Sequence, residues 1–156
     1  MRPLPIAILA MGLTLANAAV GADSANEPSG EVRAIAHPSV GMLVVEDPEY
    51  RRVFLGRTSR WDEGDRVVLV LPPPESDAME SLCSILRVNL RSYQRLLTQR
   101  QFRGEIQQPV EARDEQHLVE IVASTPGAIA PFTSDLAQGL NLSELGVDLI
   151  YEGGAE

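Results

Sequence analysis

The order of the apolar segments in this chain predicts an α/β fold, with a small mixed sheet flanked by helices. Residues 67–71 form a continuous apolar run rich in β-branched side chains, which is typical of a strand buried on both faces. Helical spacing follows over 78–88 and 90–101, and a second apolar run, 128–132, follows another helical segment. Strands that alternate with helices along the chain indicate an α/β protein.

The composition predicts one globular domain and argues against nucleic acid as a partner. Of the 156 residues, 13 are Arg, none is Lys, 22 are acidic and two are His, so the formal net charge is -9. Hydrophobic residues make up 44% and charged residues 22%, a balance that is typical of folded chains. An acidic chain of this kind is a poor binder of polyanions.

The first 22 residues are typical of a secretory signal peptide. Arg2 supplies the positive start, an apolar run extends from Ile6 to Ala16, and small residues suit cleavage after Ala18 or Ala22. The run is too short for a permanent membrane span, although an uncleaved anchor is the alternative. We therefore expect a periplasmic or secreted protein with a polar, disordered lead-in over residues 23–31.

We expect the domain over residues 32–151, followed by a flexible tail at 152–156. Its first half begins with a strand, Val32 to Ala36, which ends at His37-Pro38. An apolar segment, Met42 to Val45, precedes a helix that starts at Asp47-Pro48 and ends at Gly56.

Caps and turns predict the remaining elements. Three prolines, Pro72 to Pro74, stop the strand at 67–71, and Ser76 or Asp77 caps the helix over 78–88. Asn89 caps the helix over 90–101, and Asp114 caps a later helix that Pro126-Gly127 ends. A weaker last strand is predicted from Val147 to Tyr151.

The titratable side chains predict no enzyme and no metal site. Cys83 lies at the helical spacing of a buried face, where a thiol is a small core residue. His117 stands three residues after Asp114 and belongs to that helix cap, and His37 lies in a separate segment. The sequence contains no G-x-S-x-G nucleophile motif, and it implies no cofactor.

Several segments of residues 32–132 resemble the phosphate-type periplasmic solute-binding proteins. They are similar in particular to short, single-lobe bacterial proteins of the phosphate transporter substrate-binding kind. The matching segments are 32–40 (VRAIAHPSV), 50–57 (YRRVFLGR) with Trp61 and the strand 67–70, 102–104 (FRG) and 123–130 (ASTPGAIA).

This resemblance implies one lobe of a type 2 periplasmic-binding-protein fold. It also implies that an oxyanion such as phosphate binds at the helix start after the strand at 67–70, for an ABC transporter or a sensor. Candidate ligand residues are then Ser76 and Asp77 in that loop and Ser39 in the first matching segment.

The same loop supports an alternative interpretation. Glu75 and Asp77 place two carboxylates beside Ser76, where they repel an anion and satisfy the helix dipole themselves. Ser76 is then a helix cap without a ligand. On this interpretation the chain is a ligand-free module that binds an envelope protein, or a second copy of itself.

Charge is distributed unevenly, which points to a surface for such a partner. Residues 51–103 contain ten Arg and six acidic residues, whereas residues 104–156 contain Arg113 and ten acidic residues. Arg87, Arg91 and Arg95 recur every four residues and line one ridge if the helix is not interrupted between them. This ridge is either a solvated face or a site for an acidic partner, including the acidic third of a neighbouring copy.

Overall fold

The structure, a computed structural model, describes residues 32–41, 44–45 and 47–152. The predicted signal peptide, the lead-in over 23–31 and residues 153–156 of the predicted tail lie outside this range. Export and cleavage therefore remain predictions from the sequence.

Six strands of the described residues form one mixed sheet in the order β2-β6-β1-β5-β3-β4. β1 runs antiparallel to both of its neighbours, β5 and β6, whereas β3 is parallel to β4 and β5, and β2 is parallel to β6. Five strands therefore point one way and β1 points the other. The strands are β1 (Val32–Ala36), β2 (Val44–Val45), β3 (Val68–Leu71), β4 (Val110–Glu111), β5 (Ala128–Pro131) and β6 (Asp148–Glu152).

Helices cover both faces of the sheet. They are α1 (Asp47–Phe54), α2 (Asp77–Leu86), α3 (Leu90–Phe102), α4 (Glu115–Ser124), α5 (Ser134–Gly139) and α6 (Leu142–Leu145). A short 3-10 turn, Pro38–Val40, follows β1. Within the described part of the chain, no helix combines the length and the apolar character that a membrane crossing requires.

Alternate side chains of the central strands enter two separate cores. In β3, Leu69 and Leu71 join the core beneath α1, α2 and α3, while Val68 and Val70 join the core beneath α4 and α6. This alternation follows from the two-residue period of a strand. It explains why the sequence of β3 is apolar throughout rather than alternating.

Tyr93 connects the helices of the first core. Its side chain is fully buried, and its hydroxyl donates a hydrogen bond of 2.8 Å to the carbonyl oxygen of Phe54. Burial raises the pKa of the Tyr93 phenol well above its usual range, so it remains a neutral donor. Cys83, which the helical spacing assigned to the core, is half-buried and packs at the margin of this core.

The end of the sheet where β3 and β5 begin is held together at Gly127. The carbonyl oxygen of Gly127 accepts hydrogen bonds from Trp61 Nε1 (2.9 Å) and from the Val68 amide (3.0 Å). The Gly127 amide donates to the Ser39 hydroxyl at 2.9 Å. Trp61, which is 9% exposed, therefore acts as a buried structural side chain at this edge.

The main predicted elements are confirmed. The strands at 32–36, 67–71 and 128–132 correspond to β1, β3 and β5, and the weaker last strand corresponds to β6. The predicted helices correspond to α1, α2, α3 and α4, with ends that differ by one or two residues. The two-residue strands β2 and β4 and the short helices α5 and α6 were not predicted; of the apolar segment at 42–45, residues 42–43 lie outside the described residues and 44–45 form β2.

Candidate functional site

The carboxyl ends of β3, β4 and β5 meet at one edge of the sheet, because these three strands are parallel. A loop and the start of a helix follow each of them, so α2, α4 and α5 all begin at this edge. In open α/β sheets, ligands bind outside the carboxyl ends of the strands. This edge is therefore the place to look for a site.

Ser76 caps α2, as one of the two interpretations of its loop predicted. Its hydroxyl oxygen accepts a hydrogen bond from the Met79 amide at 3.2 Å and donates one to the Pro73 carbonyl oxygen at 2.7 Å. The hydroxyl proton is thus used within the loop. Ser76 shapes the start of α2, and its hydroxyl is not available as a donor to an anion in this conformation.

Asp114 and His117 form a reciprocal cap at the start of α4. Asp114 Oδ1 accepts from the His117 amide at 2.8 Å, and His117 Nδ1 accepts from the Arg113 amide at 3.1 Å. This resembles a capping box, except that the N3 side chain is an imidazole and that it accepts from the amide of Arg113, one residue before the N-cap. The prediction that His117 belongs to the cap is confirmed.

The starts of α2 and α4 face a common groove of about 500 Å³. Its lining residues are Pro73, Ser76, Arg113, Asp114, Glu115 and Gln116. Both helices have at least eight residues, so each contributes a partial positive charge at its start. Arg113 is the cationic side chain among these lining residues, and its guanidinium carries one full positive charge.

Both helix starts have backbone amides whose hydrogen-bonding capacity is not used by the described residues; those of Glu115 and Gln116 belong to residues that line the groove. The first turn of an α-helix leaves its amides without intrahelical acceptors. In α2 the caps satisfy the amides of Met79 and Glu80, and in α4 they satisfy those of His117 and Leu118. The hydrogen bonds of the described residues leave the amides of Asp77, Ala78, Glu115 and Gln116 for another acceptor. An oxyanion is the ligand that such amides suit.

Carboxylates limit how much negative charge this groove accepts. Glu75 and Asp77 flank Ser76 and are exposed, while Asp114 and Glu115 line the groove itself. Because exposed charges interact weakly through water and salt, these carboxylates reduce the affinity for an anion without excluding it. A small anion of low charge suits the groove better than a polyanion.

Ser39 lies at the opposite edge of the sheet from Ser76. It follows the end of β1, which is antiparallel to β5, and it therefore lies beside the start of β5. Its hydroxyl oxygen accepts from the Gly127 amide and lies 2.9 Å from His37 Nδ1. The structure does not bring the two serines together, and Ser39 contributes to the packing of the Gly127 turn.

The three arginines of the predicted ridge do not share one helix. Arg87 adopts a left-handed conformation (φ 56°) at the end of α2, and α3 starts only at Leu90. Arg91 and Arg95 do lie on the exposed side of α3. The helix break at residues 87–89 therefore reduces the ridge to two arginines of α3 with Arg87 at the adjoining turn.

Among the described residues there is no group of three or more His, Cys, Asp and Glu side chains that could hold a metal ion. Burial raises the pKa of the Cys83 thiol, which makes the thiol a poorer nucleophile. The polar groups that this edge offers to a ligand are therefore the amides at the two helix starts and the side chains of the groove.

The sequence analysis did not identify Arg113 as a candidate site residue. Its position directly before the capping residue Asp114 is visible in the sequence. Its place beside the start of α2 follows only from the pairing of β4 with β3. The pairing of Val70 with Val110 brings the two helix starts together.

Comparisons with known proteins support the fold. No family model matches the chain, and no curated protein matches it. Among solved structures, the chain is similar to the crystal structure of PstS from Borrelia burgdorferi, with a TM-score of 0.58 and 12% sequence identity. The alignment covers 81% of this chain and 49% of that one, so the chain matches about half the length of PstS. At this identity the likeness concerns the fold alone.

Proposed function

We propose that the chain is an exported solute-binding lobe whose groove at the carboxyl edge of the sheet takes a small oxyanion such as phosphate. The observation that carries the proposal is the convergence of the starts of α2 and α4 on one groove that also contains Arg113. The similarity to PstS and the resemblance of residues 32–132 to phosphate-type solute-binding proteins both favour this function. The proposed role is binding for a transporter or a sensor rather than catalysis.

We assign different tasks to the residues around the groove. The amides of Glu115 and Gln116 in its lining, together with those of Asp77 and Ala78 at the adjoining start of α2, donate to the anion, and Arg113 supplies the charge-assisted contact. Ser76 and Asp114 hold the two helix starts in place as caps. Because the groove is open on one side, we expect weaker binding than in an enclosed site.

Calorimetric titration with phosphate tests the assignment. Ser76→Ala is expected to weaken phosphate binding, because the loss of the cap loosens the start of α2, and to lower stability by about 1 kcal/mol. Glu75→Gly combined with Asp77→Ala is expected to strengthen binding, because two nearby negative charges are removed.

Asn89→Ala is the matched control for Ser76→Ala. Asn89 caps α3 by accepting from the Ser92 amide at 2.8 Å, and it does not line the groove. We expect the control to cost about as much stability as Ser76→Ala and to leave phosphate binding unchanged. Equal loss of phosphate binding in both variants, or weaker binding after removal of the two carboxylates, would contradict the proposed site.

Export is tested separately with a reporter. Residues 1–22 fused to a reporter are expected to carry it across the inner membrane, because a positive start, an apolar run and a small-residue cleavage site are present. The control carries Ile8→Asp and Leu13→Asp, which interrupt the apolar run. A reporter that remains in the cytoplasm with the native segment would contradict the proposed localisation.

A further inference from the structure

Another pocket lies at the end of the sheet where β3 and β4 begin, opposite the proposed anion groove. It has a volume of about 250 Å³ and is lined by Ser59, Arg60, Arg66 and residues 104–107. Arg66 lies just before β3, and residues 104–107 lead towards β4. Because β3 has four residues, about 13 Å of strand separates this end of the sheet from the groove. The pocket and the groove are therefore distinct.

Arg60 and Arg66 lie opposite each other in a short antiparallel pair of segments. Backbone hydrogen bonds flank this bridge on both sides, one donated by the Trp61 amide (2.8 Å) and one by the Val67 amide (3.1 Å). The two arginines are thus a non-hydrogen-bonded pair, in which the side chains lie close together on the same face. Like charges directly opposite each other destabilise such a pair.

The next residues of the two segments, Trp61 and Asp65, lie on the other face, because side chains alternate along an extended chain. Trp61 Nε1 is bonded to the Gly127 carbonyl oxygen at 2.9 Å. A Cβ atom at Gly127 would lie 3.5 Å from the Cβ of Asp65, so Asp65 also lies on this side. The arginine face is therefore turned away from Gly127 and from the Asp65 carboxylate.

The carboxylate in the lining of the pocket is already neutralised. Glu105 Oε2 accepts a hydrogen bond from Arg100 Nη1 at 2.6 Å, and Glu105 Oε1 lies 3.7 Å from Arg103 Nη1. The Arg100 side chain is 22% exposed and packs over the backbone of Gly56. This ion pair is a fixed part of the wall, and it adds no net negative charge to the pocket.

Arg60 and Arg66 have no ion-pair partner within the described part of the chain. Arg60 Nη1 donates to the Gly64 carbonyl oxygen at 3.0 Å, which leaves its other N–H groups for a ligand. Asp62 and Glu63 lie in the same turn, but both are exposed, so water and salt screen their charges. Two guanidiniums with unused donors therefore line one pocket of a chain whose formal net charge is -9.

We propose that this pocket binds a small aliphatic dicarboxylate, with one carboxylate on each guanidinium. The planar guanidinium of Arg offers parallel donors that match a carboxylate. A protein cavity of about 150 Å³ holds a benzene ring, so a pocket of about 250 Å³ has room for a molecule of the size of succinate. Ile106 gives the methylene carbons an apolar surface. The bound dianion also offsets the repulsion between Arg60 and Arg66.

Calorimetric titration of the purified protein with succinate at low salt tests the proposal. We expect saturable binding by the native protein and binding at least about tenfold weaker in Arg66→Gln. Arg91→Gln, which replaces an exposed arginine of α3 outside the pocket, is the matched control and should bind as the native protein does. Arg113→Gln should also bind succinate normally, because Arg113 lines the other site. Acetate at equal ionic strength is expected to bind at least about tenfold more weakly than succinate.

Three calorimetric results would overturn the proposal. One is the absence of saturable binding at millimolar succinate. Another is equal binding by Arg66→Gln and Arg91→Gln, and the third is equal binding of acetate and succinate. A failure of phosphate to bind in the groove leaves these results unaffected, so the two sites are tested independently.

Thermal unfolding gives a second readout with effects of opposite sign. Without ligand and at low salt, Arg66→Gln is expected to raise the Tm, because the repulsion across the bridge is removed. The same variant is expected to lose the rise in Tm that succinate gives the native protein. An Arg66→Gln variant that unfolds at a lower temperature than the native protein, or that keeps the full succinate-dependent rise, would contradict the assignment of Arg66 to a carboxylate site.

Discussion

Replacing Gly127 with alanine is expected to lower the free energy of unfolding by at least about 3 kcal/mol. Gly127 has φ +77°, and a Cβ atom at this position would lie 2.2 Å from the carbonyl oxygen of Arg66. The backbone must therefore move, and the hydrogen bonds of the Gly127 carbonyl to Trp61 and Val68 move with it. Urea denaturation with a constant m-value measures the loss.

Gly104→Ala is the matched control for this substitution. Gly104 has nearly the same backbone angle, φ +71°, but nothing lies within 4 Å of an added Cβ. This variant therefore carries the backbone strain alone, about 1–2 kcal/mol. A loss of stability in Gly127→Ala that is no larger than in Gly104→Ala would mean that the close approach of the Arg66 carbonyl does not constrain the turn.

Trp61→Ala is expected to cost about 3–5 kcal/mol of stability, because a large, almost fully buried ring is removed. Trp61→Phe is the matched comparison, since it retains most of the apolar contact and removes the indole N–H. The Gly127 carbonyl keeps its bond from the Val68 amide in that variant. We therefore expect the larger part of the alanine cost to be recovered.

Thermal and urea unfolding of both Trp61 variants distinguish packing from hydrogen bonding. A loss below about 1 kcal/mol in Trp61→Ala would contradict a buried structural role, because exposed positions tolerate such changes. The ring would then be available for recognition at the edge of the sheet where β3 begins.

The sequence predicted those parts of the fold whose signals are local. Ser76, Asn89 and Asp114 were recognised as caps, and each accepts a hydrogen bond from the amide three residues later. β3 and β5 were recognised because strands buried on both faces have continuous apolar sequences. In such cases the signal lies within a few residues of the element.

The candidate groove was only half predictable, for a physical reason. The sequence identified Ser76 and its loop as a candidate site. The position of the second helix start, at Arg113 and Asp114, depends on the pairing of β4 with β3. β4 has two exposed residues, and backbone bonds such as that from the Ala112 amide to the Leu71 carbonyl (2.8 Å) hold it in place. Backbone pairing at an edge leaves almost no pattern in the side chains.

Ser39 illustrates a different difficulty. Its position in a matching segment suggested a ligand, but the direction of β1 decides which edge of the sheet it occupies. β1 is antiparallel to β5 and β6, so its last residues lie at the end of the sheet where those strands begin. Strand direction depends on contacts between distant segments, which a local sequence pattern does not reveal. The hydroxyl is instead part of the Gly127 turn.

Amide chemical shifts during a phosphate titration test whether the starts of α2 and α4 bind a small oxyanion together. We expect saturable shifts at the amides of Asp77, Ala78, Glu115 and Gln116, with little change at Ser92 in the remote cap of α3. Arg113→Gln is expected to weaken this binding about tenfold, and Arg95→Gln, an exposed arginine outside the groove, should leave it unchanged. Shifts that are absent at millimolar phosphate, or that do not respond to Arg113→Gln, would contradict the proposed binding site.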